Sequence, residues 1–219
     1  SASYEIGAKT DWFDRRLRVN LTAFHTKFDD LQRDTVEPGP GGFVLATRNA
    51  ATAVTQGMEL ETIFAPSPSF TLRFNAGYLD AKYKRFFADL FGTGTPQDFS
   101  NLKLIFAPEW TLSGGFEYRF DFAGQGLLGF QEGAFSLNAD WRSRTELSNL
   151  NLDVGSQPSY ANVNIAQSLT TADGLSLEFY VNNLFDERWR VYGEGIDPLM
   201  RFRADNIGRT AGIVLKASF

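Results

Sequence analysis

Apolar and polar residues alternate along nearly the whole chain, and this period of two limits its fold more than any other feature. In the last stretch, one parity holds Ala211, Ile213, Leu215, Ala217 and Phe219, and the other is mostly polar. Successive side chains of a β-strand point to opposite faces, so the alternation predicts strands with one apolar and one polar face. No segment has the apolar spacing of an amphipathic helix. We therefore predict an all-β, antiparallel fold.

The same alternation recurs in eight further segments. It predicts nine strands in total, at residues 4–13, 16–36, 43–65, 69–87, 101–123, 134–148, 159–171, 175–189 and 206–219. In the fifth strand, the apolar parity includes Leu104, Phe106, Trp110, Leu112 and Phe116. We expect these residues, with Ile213 and Leu215 in the ninth strand, to face lipid if the sheet spans a membrane.

The predicted connections alternate in length. Short links lie at 14–15, 66–69 and 171–174, whereas long ones lie at 37–42, 88–100, 149–158 and 190–205. Outer-membrane barrels have tight periplasmic turns and long external loops, so this asymmetry favours a transmembrane barrel. The connection EPGPGG at 37–42 contains two prolines and is predicted to be a turn that does not pair.

Composition excludes several classes of protein. The net charge of -5 disfavours a nucleic-acid partner. The absence of Cys rules out disulfides, and with a single His the usual zinc donors are missing, so we expect no metal and no cofactor. The mean hydropathy of -0.23 does not argue against a membrane barrel, because its strands expose only alternate residues to lipid.

The strand number carries a further implication. Bacterial outer-membrane barrels have an even number of strands, and a nine-stranded sheet would leave a strand edge unpaired in lipid. We therefore expect this chain, which begins at Ser1 without a signal peptide, to lack preceding strands at its N-terminus.

Five segments resemble the C-terminal part of a TonB-dependent outer-membrane receptor, and the resemblance covers essentially all 219 residues. They are LRVNLTAFHTKFDDLQ (17–32), TQGMELE (55–61), GYLDAKY (77–83), VNNLFDERW (181–189) and GRTAGIVLKASF (208–219). The first three resemble successive barrel strands, the fourth the penultimate-strand signature, and the fifth the terminal strand with its final aromatic residue.

The resemblance implies a 22-stranded barrel of which residues 1–219 form the last nine strands, together with an N-terminal plug that contacts the TonB complex. It implies TonB-dependent uptake of a scarce nutrient such as a ferric siderophore, cobalamin or an oligosaccharide, in the outer membrane of a Gram-negative bacterium. The remaining strands and plug, the TonB complex, the barrel-assembly machinery and outer-membrane lipid are the implied partners. Leu215, Ala217 and Phe219 would form the assembly signal.

Two groups of residues are candidates for binding an anionic ligand. Lys103, Arg142 and Arg144 lie on the polar parity, where they would line the lumen or pair with wall carboxylates. Arg190, Tyr192, Arg201 and Arg203 occupy the last long connection, where they would hold a ligand or a lipopolysaccharide head group, or pack on neighbouring loops.

Two other function classes remain open at this point. The first is a smaller outer-membrane barrel with lipase or protease activity that depends on His25, the only histidine, with nearby acids and Ser100. A lone histidine on a strand is more typical of a membrane boundary, so we expect no catalytic site. The second is a soluble β-sandwich binding module, whose aromatic residues would fill a core.

Overall fold

The computed structural model describes residues 1–39, 42–89, 93–122, 126, 128–196 and 200–217. Its strands are β1 (Ala2–Trp12), β2 (Leu17–Gly39), β3 (Gly42–Ser67), β4 (Phe70–Ala88), β5 (Gln97–Asp98), β6 (Trp110–Asp121), β7 (Phe130–Arg142), β8 (Thr145–Glu146), β9 (Ser156–Gln157), β10 (Tyr160–Thr171), β11 (Leu175–Asn182), β12 (Arg190–Ile196), β13 (Met200–Asp205) and β14 (Thr210–Ala217). A 3-10 helix covers Asp153–Gly155. Among the described residues, no helix is long and apolar enough to cross a membrane.

Nine strands form one antiparallel sheet in the order β1-β2-β3-β4-β6-β7-β10-β11-β14. Each strand pairs with the next one along this path, so the sheet is a meander. The short β5 pairs with the end of β4, and two separate two-stranded sheets, β8-β9 and β12-β13, lie in the long connections. The predicted all-β antiparallel fold and its nine sheet strands are confirmed.

The strand register aligns the apolar parity of every strand on one side of the sheet, the apolar face. One row crosses the sheet through Leu17, Phe64, Leu72, Phe116, Leu137, Ile165, Val181 and Ala211. Trp110, Leu112, Ile213 and Leu215 lie on the same side, because their paired residues belong to the same parity. The opposite side is the polar face. A slip of one residue at any pair would exchange the two faces, so the hydrophobic pattern specifies the register.

The apolar face is not covered by other parts of the chain. Only five apolar residues are buried among the described residues, namely Ala51, Ala53, Tyr83, Phe86 and Ala88, whereas Ile213 and Leu215 are each 66% exposed. A soluble sandwich needs a second packed sheet to bury such a face. The soluble β-sandwich alternative is therefore wrong.

Short and long connections lie at opposite ends of the sheet. Residues 13–16, 68–69 and 172–174 form the short turns, and the first of these uses positive φ angles at Phe13, Asp14 and Arg15. The long connections at 89–109, 143–159 and 183–209 leave the other end. The predicted asymmetry is confirmed for these connections, whereas the predicted long connection at 37–42 is largely replaced by strand pairing.

The β2-β3 hairpin continues further than predicted. Pro38 pairs with Phe43 and Gly39 with Gly42, so the prediction that residues 37–42 do not pair is wrong for the described part, and Pro40 and Gly41 lie outside it. Alternate residues of an antiparallel strand direct their N–H away from the partner strand, so Pro38, next to the Gly39–Gly42 pair, can pair without that donor.

The fifth sheet strand is shorter than predicted, because it begins at Trp110 and not near residue 101. Leu104 precedes it and packs against the buried cluster of Ala51, Ala53 and Phe86. Phe106 has a φ of 55°, and its N–H donates to the Glu146 carbonyl at 2.9 Å. The expected lipid-facing orientation of Leu104 and Phe106 is corrected: neither belongs to the apolar face of a strand.

Two adjacent glycines of β6 test how closely the strands pack. A Cβ added at Gly115 would lie 2.4 Å from the Leu137 carbonyl oxygen, whereas one added at Gly114 would come no closer than 3.3 Å, to the Arg73 oxygen. We predict that Gly115→Ala lowers the free energy of unfolding by about 1–3 kcal/mol, measured by urea titration in micelles. Gly114→Ala is the matched control, and equal losses for both variants would contradict the register.

Candidate functional site

A row of polar side chains crosses the middle of the polar face, and we call it the polar ladder. It consists of Asn20, Glu61, Asn75, Ser113, Asp140 and Asn162, each opposite the next in the register. Asn20 Nδ2 donates to Glu61 Oε2, Asn75 Nδ2 to Ser113 Oγ, and Asn162 Nδ2 to Asp140 Oδ2, each at 3.1 Å. These bonds join three pairs of neighbouring strands, β2-β3, β4-β6 and β7-β10, through their side chains as well as their backbones.

The polar ladder forms part of an open groove of about 450 Å³. Glu59, Thr111 and Arg142 line this groove together with Glu61 and Asp140. Two buried oxygens of the ladder, Asn20 Oδ1 and Asn162 Oδ1, have no hydrogen-bond donor among the described residues. The polar face therefore carries acceptors and a cation, and its chemistry suits binding of a polar surface.

Arg142 stands at the long-connection end of this groove. It pairs with Tyr160 at the start of β10, and it is exposed. The Tyr160 ring stacks on Trp189, with ring centroids 4.7 Å apart and planes inclined by 9°. The stack places the last long connection over the first residue of β10. Within that connection, Asn206 Oδ1 accepts from the Trp189 N–H at 3.2 Å and fixes the position of Trp189. The sequence does not predict this stack, because the contact of Tyr160 with Trp189 depends on the path of the loop.

Arg190 joins the last long connection to the connection at 143–159. Its Nη1 donates to the carbonyls of Asp153 (2.8 Å) and Ser156, and its backbone N–H donates to Gln157 Oε1. Gly155 and Gly193 meet at the same contact, where a Cβ on Gly155 would lie 2.7 Å from the Gly193 oxygen. The guanidinium is thus engaged within the protein, which favours the loop-packing interpretation of Arg190 over ligand binding.

Arg144 belongs to the same loop contact. Its Nε lies 3.2 Å from Oε1 of Glu146, a side chain that is only 5% exposed. Ser156 Oγ also donates to Glu146 Oε1, at 3.4 Å, whereas Glu146 Oε2 is buried without a partner among the described residues. Arg144 itself remains 59% exposed.

The β12-β13 hairpin separates the remaining candidates. Arg201 and Arg203 lie opposite Gly195 and Gly193, on one side of the hairpin, whereas Tyr192 lies opposite Ala204, on the other. Arg203 Nη2 forms an ion pair with Asp205 Oδ2 at 2.9 Å. The expected mixed cluster of arginines and aromatic rings is therefore divided between two faces of the hairpin.

Lys103 does not join the polar face. It forms an isolated bridge with Lys82, which lies on the apolar parity of β4, so the two side chains share that side. Its backbone is fixed by Asn151, whose Oδ1 accepts from the Lys103 N–H at 2.7 Å. The expected lumen-lining position of Lys103 is thus corrected to the other side of the sheet.

The VNNLFDERW segment forms a turn that is closed by its own side chains. Asn183, with a φ of 54°, accepts from the Glu187 N–H and donates to the Glu187 carbonyl, both at 2.9 Å. Asp186 Oδ1 accepts from the Arg209 N–H at 2.8 Å. This bond, with the nearby guanidinium of Arg188, holds the pKa of Asp186 below its usual value. The residues of the signature therefore fix where β14 begins.

His25 does not meet the groups that hydrolysis would need. Its Nδ1 lies 3.2 Å from Gln56 Oε1, while Ser100 Oγ donates to Asp98 Oδ1 at 2.6 Å in a separate network. Among the described residues, no group of three or more acidic or histidine side chains is suited to a metal ion.

The loop contact at Arg190 can be tested directly. We predict that Arg190→Ala speeds limited proteolysis within residues 143–159, because it removes the charged hydrogen bonds to the Asp153 and Ser156 carbonyls, and such bonds are each worth about 1.5–3 kcal/mol. Arg203→Ala is the control, since its partner Asp205 lies two residues away on the same strand. Equal cleavage of the two variants would show that Arg190 does not join the connections.

Comparisons with known proteins agree with this geometry. A family model described as TonB dependent receptor-like, beta-barrel, matches residues 1–184. The pesticin receptor of Yersinia enterocolitica is 23% identical over 225 residues, a match that covers 100% of this chain and 29% of that receptor. The chain thus spans less than a third of the length of such relatives.

Solved structures share the fold. The ferric yersiniabactin uptake receptor of Yersinia pestis has a TM-score of 0.78 at 19% identity, covering 99% of this chain and 29% of that one. The siderophore receptor of Acinetobacter baumannii has a TM-score of 0.70 at 18% identity, covering 97% and 27%. With the family match over most of its length, the chain belongs to the TonB-dependent receptor-like β-barrel family, and it is an outer-membrane protein of a Gram-negative bacterium.

Proposed function

We propose that this chain forms wall and external connections of an outer-membrane receptor that imports a scarce nutrient by TonB-dependent transport, with a ferric siderophore as the first candidate cargo. The observation that carries the proposal is the single-layer sheet of nine strands, with one uncovered apolar face and one polar face. Relatives are named for yersiniabactin and pyoverdine, which favours iron carriers as cargo. The proposed activity is transport without covalent catalysis.

The open edges of the sheet support further barrel strands as partners. On the described path, β1 pairs only with β2 and β14 only with β11, so each has a free edge. Unpaired backbone groups are not tolerated in lipid, and only a closed barrel removes them. We propose that residues 1–219 form the C-terminal part of a plugged 22-stranded barrel, in which the short turns are periplasmic and the long connections external.

The polar ladder supports a plug inside the barrel. The carboxylates of Glu59, Glu61 and Asp140, which line the open groove, offer acceptors to backbone N–H groups of an inserted domain. We propose that the plug of the same receptor binds there and transmits the action of the TonB complex. Leu215, Ala217 and Phe219 remain the proposed signal for the barrel-assembly machinery, and Phe219 lies outside the described residues.

Among the predicted ligand residues, Arg142 has the position best suited to an anionic cargo. It is exposed on the polar face at the long-connection end, beside the Tyr160 ring. Arg144 and Arg203 are ion-paired with Glu146 and Asp205, and the Arg190 guanidinium is occupied. Arg201 lies on the β12-β13 hairpin of the last long connection. We propose that Arg142 steers the anionic complex into the groove.

The membrane orientation can be tested with two neighbouring residues of β6. Leu112 lies on the apolar face and Ser113 on the polar face. We predict that Leu112→Arg, like Leu215→Arg on β14, destabilises the assembled barrel by about 2–4 kcal/mol, because a charge would enter lipid. Ser113→Arg should assemble normally. Assembly is read from the heat-modifiable mobility of the receptor, and equal effects on both faces would contradict the orientation.

Cargo transport is tested with the full receptor in cells that lack other siderophore receptors. We predict accumulation of radiolabelled iron from a ferric siderophore only when the TonB complex is present, and weaker siderophore binding by the Arg142→Gln variant. Lys216→Gln is the control variant, because Lys216 pairs with Glu178 far along the sheet. Import of cobalamin or an oligosaccharide, with no ferric siderophore bound, would overturn the iron assignment.

A further inference from the structure

The apolar face becomes polar at one end of β2, β3 and β4. Below this point the face ends in aromatic rings, with Tyr78 and Trp110 in contact at a centroid distance of 4.9 Å. Above it, His25 Nδ1 lies 3.2 Å from Gln56 Oε1, and Gln56 Nε2 donates to Asp80 Oδ2 at 3.2 Å. Since the face below is apolar in every strand, this hydrogen-bonded row marks a boundary between lipid tails and a polar layer.

Cationic side chains are concentrated just above that boundary. Lys82 lies two residues beyond Asp80, roughly 13 Å along the strand from Tyr78, and Lys103 is brought beside it by the isolated bridge. Lys84 is the extra residue of a β-bulge, because Tyr83 and Arg85 pair with consecutive residues of β3. We call the set Lys27, Lys82, Lys84, Arg85 and Lys103 the outer cation patch, and all five residues are exposed.

The charges of the outer cation patch are only partly neutralised. Lys27 pairs with Asp29 at 2.9 Å and Lys82 with Asp80 at 2.8 Å. Glu109 is a third carboxylate within electrostatic reach of Lys82. Among the described residues, Lys84, Arg85 and Lys103 have no ion pair. Asp98, opposite Phe87, adds a fourth carboxylate on this side. The five cations still outnumber these four carboxylates, so positive charge is in excess on the side of the sheet that continues the lipid-facing surface.

The outer cation patch is backed by a buried hydrophobic cluster. On the opposite side of the same strands lies the buried cluster that contains Ala53, Tyr83 and Phe86. Leu102 and Leu104 pack against this cluster, while Lys103 between them points to the other side. A buried backing reduces the loss of conformational freedom that binding would otherwise cost.

We propose that the outer cation patch binds the phosphate groups of lipopolysaccharide in the outer leaflet. This inference rests on the proposed location of the receptor in the outer membrane, and it adds a lipid site that transport does not require. Position and charge favour this occupant, because the patch lies immediately above the aromatic boundary and has cations without partners. Lysine is a point charge with three donors, suited to phosphate oxygens of variable orientation.

The test compares two double variants of the full receptor. Lys84→Gln with Lys103→Gln removes two of the three unpaired cations and keeps the Lys82–Asp80 pair. Lys9→Gln with Lys216→Gln makes the same charge change on the polar face. Each variant is purified from outer membranes, and bound lipopolysaccharide is measured by its fatty acids. The delipidated receptor is then titrated in detergent with lipid A, with phosphatidylcholine and with inorganic phosphate.

We expect the first double variant to bind lipid A more than about tenfold more weakly, because each lysine near an anionic lipid surface contributes about fivefold. The control double variant should bind as the unaltered receptor does. Equal binding by both variants, or binding of inorganic phosphate as tight as that of lipid A, would overturn the proposal. Siderophore uptake is measured in parallel, so that loss of the transport assignment is distinguished from loss of the lipid site.

Discussion

The hydrogen bonds between antiparallel strands stabilise this structure, because the sheet has almost no hydrophobic core. Five buried apolar residues among the described ones are far fewer than a soluble domain of 219 residues needs. Stability must therefore come from hydrogen bonds between nine strands, strengthened by side-chain rows such as the one that contains Glu61 and Asp140. In lipid, where unpaired backbone groups have no water to bind, the same ladder is obligatory, and every other feature is arranged on it.

Alternation in the sequence predicted the number and facing of the sheet strands, because each side of the sheet meets a different solvent. It could not predict where β6 begins. Leu102, Leu104 and Phe106 continue the same apolar parity, but Leu104 packs on a buried cluster formed by β3 and β4. A period of two reports that alternate residues avoid water, and it does not distinguish lipid from protein. The pairing of Pro38 with Phe43 was missed because the presence of a proline does not tell whether its absent N–H would have pointed toward the partner strand.

The candidate site was only partly predictable, because its cations lie in connections whose paths are set by contacts distant in sequence. Arg190 appeared equivalent to Arg203, yet its guanidinium reaches carbonyls of another connection whereas Arg203 pairs with its own strand. Arg142 stayed on the predicted face because it ends a regular strand, where parity still holds. Residue type therefore identified the charges, and only strand register and loop contacts decided which of them remain available to a ligand.

The apolar side chains of strand β4 lie on one face of the sheet near the short turns and on the other face near the long connections. This change of face accounts for both the lipid-facing surface and the buried cluster. Near the short turns, Leu72 and Phe74 face the apolar side, opposite polar neighbours such as Arg73. Past Tyr78, Asp80 and Lys82 occupy the formerly apolar side, while Tyr83 and Phe86 are buried on the other. A strand that leaves lipid must exchange its exposed face for a polar one, and the apolar residues it still carries can then pack inward. The only buried cluster among the described residues therefore lies behind the charged surface, where it supports the long connections that a ligand would meet first.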